Sequence, residues 1–85
     1  MTSDKEIIEK AKRANKTSAL LVEKLITVFD CDEENISGIL VNCKSEVERK
    51  AVLDYITEKG EAVDKEQIIL LTVMIGNERD KDKII

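Results

Sequence analysis

Seven small or apolar residues recur at alternating steps of four and three along the first third of this chain, which is the spacing of one stripe along an α-helix. The phase of this stripe continues without a slip, so the spacing predicts a single helix over 4–29. The alternative is a break near 15–18, because the residues there are also able to end one helix and start another. The stripe consists of Ile7, Ala11, Ala14, Ser18, Leu21, Leu25 and Val28.

Capping residues mark the starts of the other predicted helices. Asp32 is suited to cap a helix over 33–43. Ser45 and Glu48 form a capping box that opens a helix over 46–59, and Gly60 suits its end. Asp64 with Gln67 forms a weaker box before a helix over 65–76, which Gly76 and Asn77 are predicted to close.

The run from Ile68 to Ile75 leaves a second structure open. Five of its eight residues are β-branched, so a buried strand is the alternative to a helix. The upstream cap and the lack of an adequate pairing strand favour the helix. As a helix it would be apolar on nearly every side, and it would therefore lie centrally or in a dimer interface.

These elements predict an all-α fold, a compact four-helix bundle forming one domain over 1–77. The chain has 85 residues, of which 42% are hydrophobic and only 2% are aromatic, so Ile, Leu and Val must build the core. Residues 78–85 are expected to form a loose tail, in which Glu78 to Lys83 alternate in charge and the terminal Ile84 and Ile85 are able to dock.

The side chains offer little reactive chemistry. The chain has no His, the usual general acid or base near neutral pH. Cys43 falls on a predicted buried face, and the thiolate of Cys31 is disfavoured by Asp30 and Asp32 beside it. We therefore expect no catalytic residue, no metal ligand set and no cofactor, and we expect that the protein is not an enzyme.

Composition also sets an expectation for location. The sequence starts Met-Thr-Ser-Asp-Lys without a signal-peptide pattern, and its longest apolar run is too short for a bilayer helix of roughly 20 residues. Two cysteines in such a chain are expected to stay reduced, so the prediction is a cytoplasmic protein with no membrane partner. A composition rich in Lys, Ile, Glu and Asp is compatible with a small bacterial or phage protein.

One segment resembles the two helices of helix-turn-helix regulators. It comprises Val22 to Leu25 and, after a connection, the stretch from Asp32 to Leu40. The resemblance implies a DNA-binding regulator. A reading helix that opens with Asp32, Glu33 and Glu34 would repel phosphates, and the net charge of −4 also opposes DNA, so a nucleic acid partner is the less favoured alternative.

The favoured prediction is a small interaction or regulatory module that binds another protein and forms a homodimer. The first helix supplies the predicted contact surface, because its early half carries a narrow apolar stripe between basic side chains and is expected to project beyond the core. The stripe is Ile7, Ile8, Ala11 and Ala14, and the basic flank is Lys10, Lys12, Arg13 and Lys16.

Overall fold

The computed structural model describes residues 3–81 and is all-α, as predicted, with no strand in that range. It contains five α-helices where four were predicted. The helices are α1 (Asp4–Ala14), α2 (Lys16–Thr27), α3 (Glu33–Asn42), α4 (Glu46–Lys59) and α5 (Lys65–Lys81), with one 3₁₀ turn at Gly60–Ala62 between α4 and α5.

Side-chain caps fix the predicted helix starts. The Ser3 Oγ accepts from the backbone N–H of Glu6 at 3.2 Å and opens α1. The Asp32 carboxylate accepts from the Asn35 N–H at 2.8 Å at the start of α3. Each such bond satisfies an amide that has no partner within the first helical turn. The sequence therefore placed these starts correctly.

The favoured prediction of one helix over 4–29 is wrong, and the alternative of a break near 15–18 is confirmed, with the break at Asn15. This residue is extended (φ −166°, ψ 171°), so it ends α1. Its side-chain oxygen then accepts from the Ser18 N–H at 2.8 Å and caps α2. The chain turns back at this point, and α1 packs against both α2 and α3 instead of projecting from the core.

The second helix also ends earlier than predicted, at Thr27. Asp30 takes a positive φ of 53°, a conformation in which Asp is better tolerated than most side chains. The N–H of Cys31 then donates to the carbonyl of Leu25 at 2.9 Å. This turn redirects the chain into α3, which itself ends one residue before the predicted Cys43.

The last helix is longer than predicted. The segment 68–75 is helical, which removes the strand alternative, but α5 continues through Gly76 to Lys81. Gly76 is buried and does not act as a cap. Residues 78–81 of the predicted loose tail are therefore helical, whereas Ile84 and Ile85 lie outside the described residues.

One aliphatic core joins the helices, and Cys43 lies fully buried in it, as predicted. The two aromatic side chains, Phe29 and Tyr55, are only partly buried against it. Within the predicted stripe, Ala14 and Val28 are exposed because the break and the early end of α2 turn them outward. The most fully buried aliphatic side chains are Leu21, Val22, Leu25, Ile36, Ile39, Leu40, Val52, Ile56 and Ile68.

The C-terminal end of α3 is held by an arginine of α4. Arg49 donates from Nε to the carbonyl of Cys43 at 2.6 Å and from Nη2 to the carbonyl of Leu40 at 3.2 Å. Its Nη1 donates to the Oγ of the buried Ser18 at 3.1 Å. A cation at the carbonyl end of a helix also complements the helix dipole. Arg49 thus ties α2, α3 and α4 together.

No helix between Ser3 and Lys81 is both long enough and apolar enough to cross a bilayer.

Candidate functional site

The start of α5 is fixed by a reciprocal capping box. The backbone N–H of Gln67 donates to Asp64 Oδ1 at 2.9 Å, and the Asp64 N–H donates to Gln67 Oε1 at 2.9 Å. The predicted box therefore forms. It sets where a helix of 17 residues begins.

One side of α5 faces the protein. Ile68, Thr72 and Gly76, spaced by four, are its buried residues. Thr72 satisfies its hydroxyl by donating to the carbonyl of Ile69 at 2.7 Å, and it accepts from Asn42 Nδ2 at 3.4 Å. Gly76 faces the end of α3, where a Cβ would lie 3.6 Å from the Asn42 carbonyl oxygen, an ordinary van der Waals contact. These contacts determine which side of α5 is covered.

The far end of α5 is anchored by Arg79. Its Nη1 donates to the carbonyl of Asn42 at 2.8 Å and to Glu48 Oε1 at 2.9 Å. The Arg79 and Glu48 side chains are only 23% and 16% exposed. Burial acts to raise the pKa of Glu48, but hydrogen bonds from the Ser45 backbone and from Arg79 outweigh it and hold that pKa below its ordinary value. The ion pair locks α5 against both α3 and α4.

The opposite side of α5 is uncovered and apolar at its centre. Leu70 and Met74 are each 63% exposed, and Val73 is 39% exposed. Their spacing of three and four places them together on one helix face. Exposed polar residues continue this face toward both helix ends. We call it the α5 outer face, and it consists of Glu66, Leu70, Val73, Met74, Asn77 and Lys81.

A hollow of about 510 Å³ adjoins this face. It is lined by the apolar side chains of Leu71, Met74 and Ile75, and by the charged pair of Glu48 on α4 with Arg79 on α5. A side chain from a docked helix would find apolar surface here beside the outer face.

A second depression, of about 420 Å³, lies under α1. Its lining includes the apolar residues Ile8, Ile36 and Cys31 and the charged residues Lys12 and Glu33. Burial is the main cause that raises the pKa of Cys31, with Asp32 and Asp30 adding to it and Lys65 opposing it. The Cys31 thiol therefore stays protonated near neutral pH, which makes it a weak nucleophile.

Both cysteines are free thiols. Burial, with help from the Glu48 carboxylate, raises the pKa of Cys43 to about 11. Across residues 3–81, no three side chains of the His, Cys, Asp and Glu types come together in a group able to hold a metal ion.

The predicted α1 surface is divided by the fold. Ile8 and Ala11 are buried in the chain's own core, and Ile7 packs partly against it. Ala14 is exposed, and it lines a shallow hollow of about 410 Å³ together with Ile7, Ala11, Lys10 and Arg49 of α4. The remaining basic residues of the prediction, Lys12, Arg13 and Lys16, are exposed. The prediction that α1 binds a partner stays a prediction. Two of its residues, Ile8 and Ala11, are buried in the core and are therefore not available for that contact.

The α5 outer face was not singled out by sequence reasoning. The run 68–75 was recognised as apolar on nearly every side, but its pattern alone does not tell which side the protein covers. Gly76 lies four residues from Thr72 and eight from Ile68, so the three residues form one line along the helix, and this line is the buried side. The outer face is the side opposite that line.

Comparison with known proteins gives no family, relative or structural neighbour: no family model, no curated protein and no solved structure matches this chain.

Proposed function

We propose that this chain is a small non-enzymatic interaction module that binds a helical surface of a partner protein through the α5 outer face. The observation that carries the proposal is the exposure of Leu70, Val73 and Met74 on a helix that is anchored at both ends. Contiguous exposed apolar side chains on a rigid helix are typical of protein interfaces. The anchoring fixes their orientation before a partner arrives, which lowers the entropic cost of binding.

The state of the titratable groups supports a binding role over a catalytic one. Cys43, with its pKa raised to about 11, and Cys31, raised in the same direction, are held as neutral thiols. Glu48 is held ionised by Arg79 and by the Ser45 backbone, so it is not poised to exchange protons near neutral pH. These groups serve packing and helix anchoring.

The geometry gives the DNA-binding alternative less support. The first turn of α3, which would read the major groove in a helix-turn-helix protein, exposes Glu33 and Glu34 after the Asp32 cap. The dipole of a helix attracts phosphates to its N-terminus, but here the carboxylates of Asp32, Glu33 and Glu34 repel them. A cytoplasmic location is part of the proposal, and it is supported by the two free thiols.

Site-specific photo-crosslinking in cells of the native host tests the proposal. A photoreactive residue replaces Leu70 in one variant and Val47 in a control variant. Val47 is 79% exposed but lies on α4, outside the outer face. We expect a discrete adduct with one polypeptide from position 70 and none from position 47. An absence of any polypeptide adduct at 70, or equal adducts from both positions, would overturn the proposal.

Duplex binding is measured in parallel on the unmodified chain. A DNA-binding regulator binds duplex with an affinity that falls steeply as salt increases. We expect no such binding at low salt. Salt-sensitive duplex binding that is unaffected by Leu70→Asp would replace the interaction module with the DNA-binding alternative.

A further inference from the structure

We propose that the partner on the α5 outer face is a second copy of this chain, packed with the two α5 helices antiparallel about a two-fold axis that passes between Val73 and Met74. This inference rests on the proposed function, since it names the occupant of the same surface. Three features of the outer face lead to it: the charges at its ends, the apolar residues at its centre and the symmetry of its residue spacing about the midpoint of those charges.

The end charges are complementary only in the antiparallel arrangement. Glu66 lies in the first turn of α5 and Lys81 ends the helix, and both are exposed on the outer face. An antiparallel copy brings the Glu66 carboxylate next to the partner's Lys81 ammonium at both ends of the interface. A parallel copy would place each charge next to its own like, which is unfavourable.

The positions between these charges fall into symmetric pairs. A two-fold axis midway between Glu66 and Lys81 passes between Val73 and Met74, so each of these two residues faces the other across the axis. Leu70 then lies opposite the partner's Asn77, nearer the polar end. The most apolar part of the face is thus at the centre of the interface and the charged part at its rim, which is the usual anatomy of a protein interface.

The antiparallel copy also suits the backbone and the side chains. The N-terminal end of each α5 lies beside the C-terminal end of the other, so the two helix dipoles attract. Met74, which lines the hollow beside Leu71 and Ile75, is flexible and unbranched, so its side chain is able to adapt to the surface of a packed copy. A two-fold contact uses one self-complementary surface twice, as the outer face provides.

Charge reversal with rescue tests the pairing of Glu66 with Lys81. Sedimentation equilibrium of the full chain gives the dimer dissociation constant. Because each substitution turns two attractive rim pairs into two repulsive ones, Glu66→Lys and Lys81→Glu should each weaken the dimer by about tenfold. The double variant restores opposite charges, and we expect its dissociation constant to return to within about threefold of wild type.

Matched controls carry the same changes of charge on α4. Lys50 and Asp54 form an exposed pair whose side chains are 63% and 65% exposed. Lys50→Glu matches Lys81→Glu, and Asp54→Lys matches Glu66→Lys, so neither control should shift the dimer by more than about twofold. Equal weakening by the controls, or a double variant that is weaker than both singles, would overturn the proposed pairing.

Crosslinking tests the direction of the helices. Met74→Cys places a thiol near the axis, whereas Glu66→Cys places two thiols about 22 Å apart in the dimer. The native Cys31 and Cys43 are 7% and 0% exposed, so they contribute little background. With a short bismaleimide we expect covalent dimer from Met74→Cys only. Efficient crosslinking of Glu66→Cys would indicate parallel helices and overturn the proposal.

The inference and the proposed function fail in different ways. A chain that sediments as a monomer at all concentrations, yet gives a discrete adduct with a different polypeptide from position 70, overturns the second copy and leaves the interaction module standing. A monomer without any polypeptide adduct overturns both. An adduct between two copies of this chain supports both.

Discussion

At the scale of single residues, Gly38 and Gly60 differ in backbone geometry although both have free space around them. A Cβ built at either position meets no atom within 4 Å. Gly38 lies inside α3, where glycine is about 1 kcal/mol less favourable than alanine. Gly60 has φ 54° and ψ −132°, a conformation that side chains strongly disfavour. Because neither position is crowded, a difference between substitutions at the two glycines reports on backbone strain alone.

We expect Gly38→Ala to stabilise the protein by about 1 kcal/mol and to raise Tm by roughly 4–8 °C. Gly60→Ala should destabilise it by about 1–2 kcal/mol, because alanine at positive φ is strained whatever the space. Thermal unfolding followed by circular dichroism at one protein concentration measures both. Equal effects of the two substitutions would contradict the backbone assignment at Gly60.

The buried Cys43 should react slowly with a thiol reagent. Its pKa of about 11, against an ordinary 9.0, leaves about a hundredfold less thiolate at pH 8, and its full burial blocks the reagent as well. We expect labelling of Cys43, followed in a Cys31→Ser variant, to be at least about a hundredfold slower in the folded protein than in urea. Rapid labelling of the folded protein would show that Cys43 is accessible.

Glu48 should make stability depend on pH in the acid range. Its pKa is lowered in the folded protein, so the ionised carboxylate stabilises the fold above its ordinary pKa of 4.5. That contribution is lost as the pH falls through this value toward the folded pKa. We expect Glu48→Gln to cost about 1–2 kcal/mol at pH 7 and progressively less below pH 4.5. Urea unfolding of the variant and of wild type at each pH measures the difference between their free energies of unfolding.

The control for Glu48 is Asp54→Asn, which removes an exposed carboxylate from the Lys50–Asp54 pair on the same helix. This substitution should lower the free energy of unfolding by less than about 0.5 kcal/mol at every pH tested. A gap between wild type and Glu48→Gln that stays constant from pH 7 to pH 3 would show that the ion pair with Arg79 does not contribute through its charge.

At the scale of helices, the end of α3 depends on Arg49. Its guanidinium donates to the Leu40 carbonyl within that helix, to the carbonyl of Cys43 that follows it and to the buried Ser18 hydroxyl. Arg49→Met keeps much of the apolar stem but leaves these acceptors without their donor, so we expect a loss of about 2–3 kcal/mol in the free energy of unfolding. Lys50→Met, next along the chain but exposed, should cost less than about 0.5 kcal/mol. Urea unfolding measures the loss in both variants. Similar losses for Arg49→Met and Lys50→Met would contradict the anchoring role of Arg49.

Helix boundaries were predictable from sequence where local chemistry alone sets them. Helix α4 was predicted with its observed bounds, because Ser45 and Glu48 cap each other and Gly60 accepts a positive φ without help from the rest of the fold. The break at Asn15 was only the alternative prediction, since α1 and α2 keep one phase across it and that phase favours a single helix. Both helices turn their part of the stripe toward the same core, which is why Ala11 and Ser18 are both buried.

The end of α5 and the outer face depend on contacts that a single sequence does not display. Gly76 resembles a helix end, yet it is a buried residue within α5, and the next turn of the helix is held by the bonds from Arg79 to Asn42 and Glu48. The same contacts cover one side of the apolar run and leave Leu70 and Met74 outside. The apolar run predicted a helix with too many apolar side chains to be surrounded by solvent. Which of its sides stays exposed depends on how the helix packs against the rest of the chain.

At the scale of the whole molecule, the anchoring of α5 and the small aliphatic core both affect how stable a single copy of the chain is. A chain of 85 residues buries a modest share of its apolar surface, and here Phe29 and Tyr55 are only partly inside. Leaving the large side chains of the outer face in water adds no stability to the isolated chain. A second copy on that face would contribute burial that the single chain lacks.

Stability should therefore depend on protein concentration. When folding is coupled to dimer formation, each tenfold rise in concentration above the dissociation constant adds about 1.4 kcal/mol per dimer, so Tm should climb by several degrees between about 10 μM and about 1 mM. Differential scanning calorimetry measures this. Glu66→Lys should flatten the dependence over the lower part of that range, because its dimer forms only at higher concentration, and Lys50→Glu should not. A wild-type Tm that is constant over the whole range would mean that the outer face adds nothing to folding stability, and the aliphatic core would then have to hold the fold unaided.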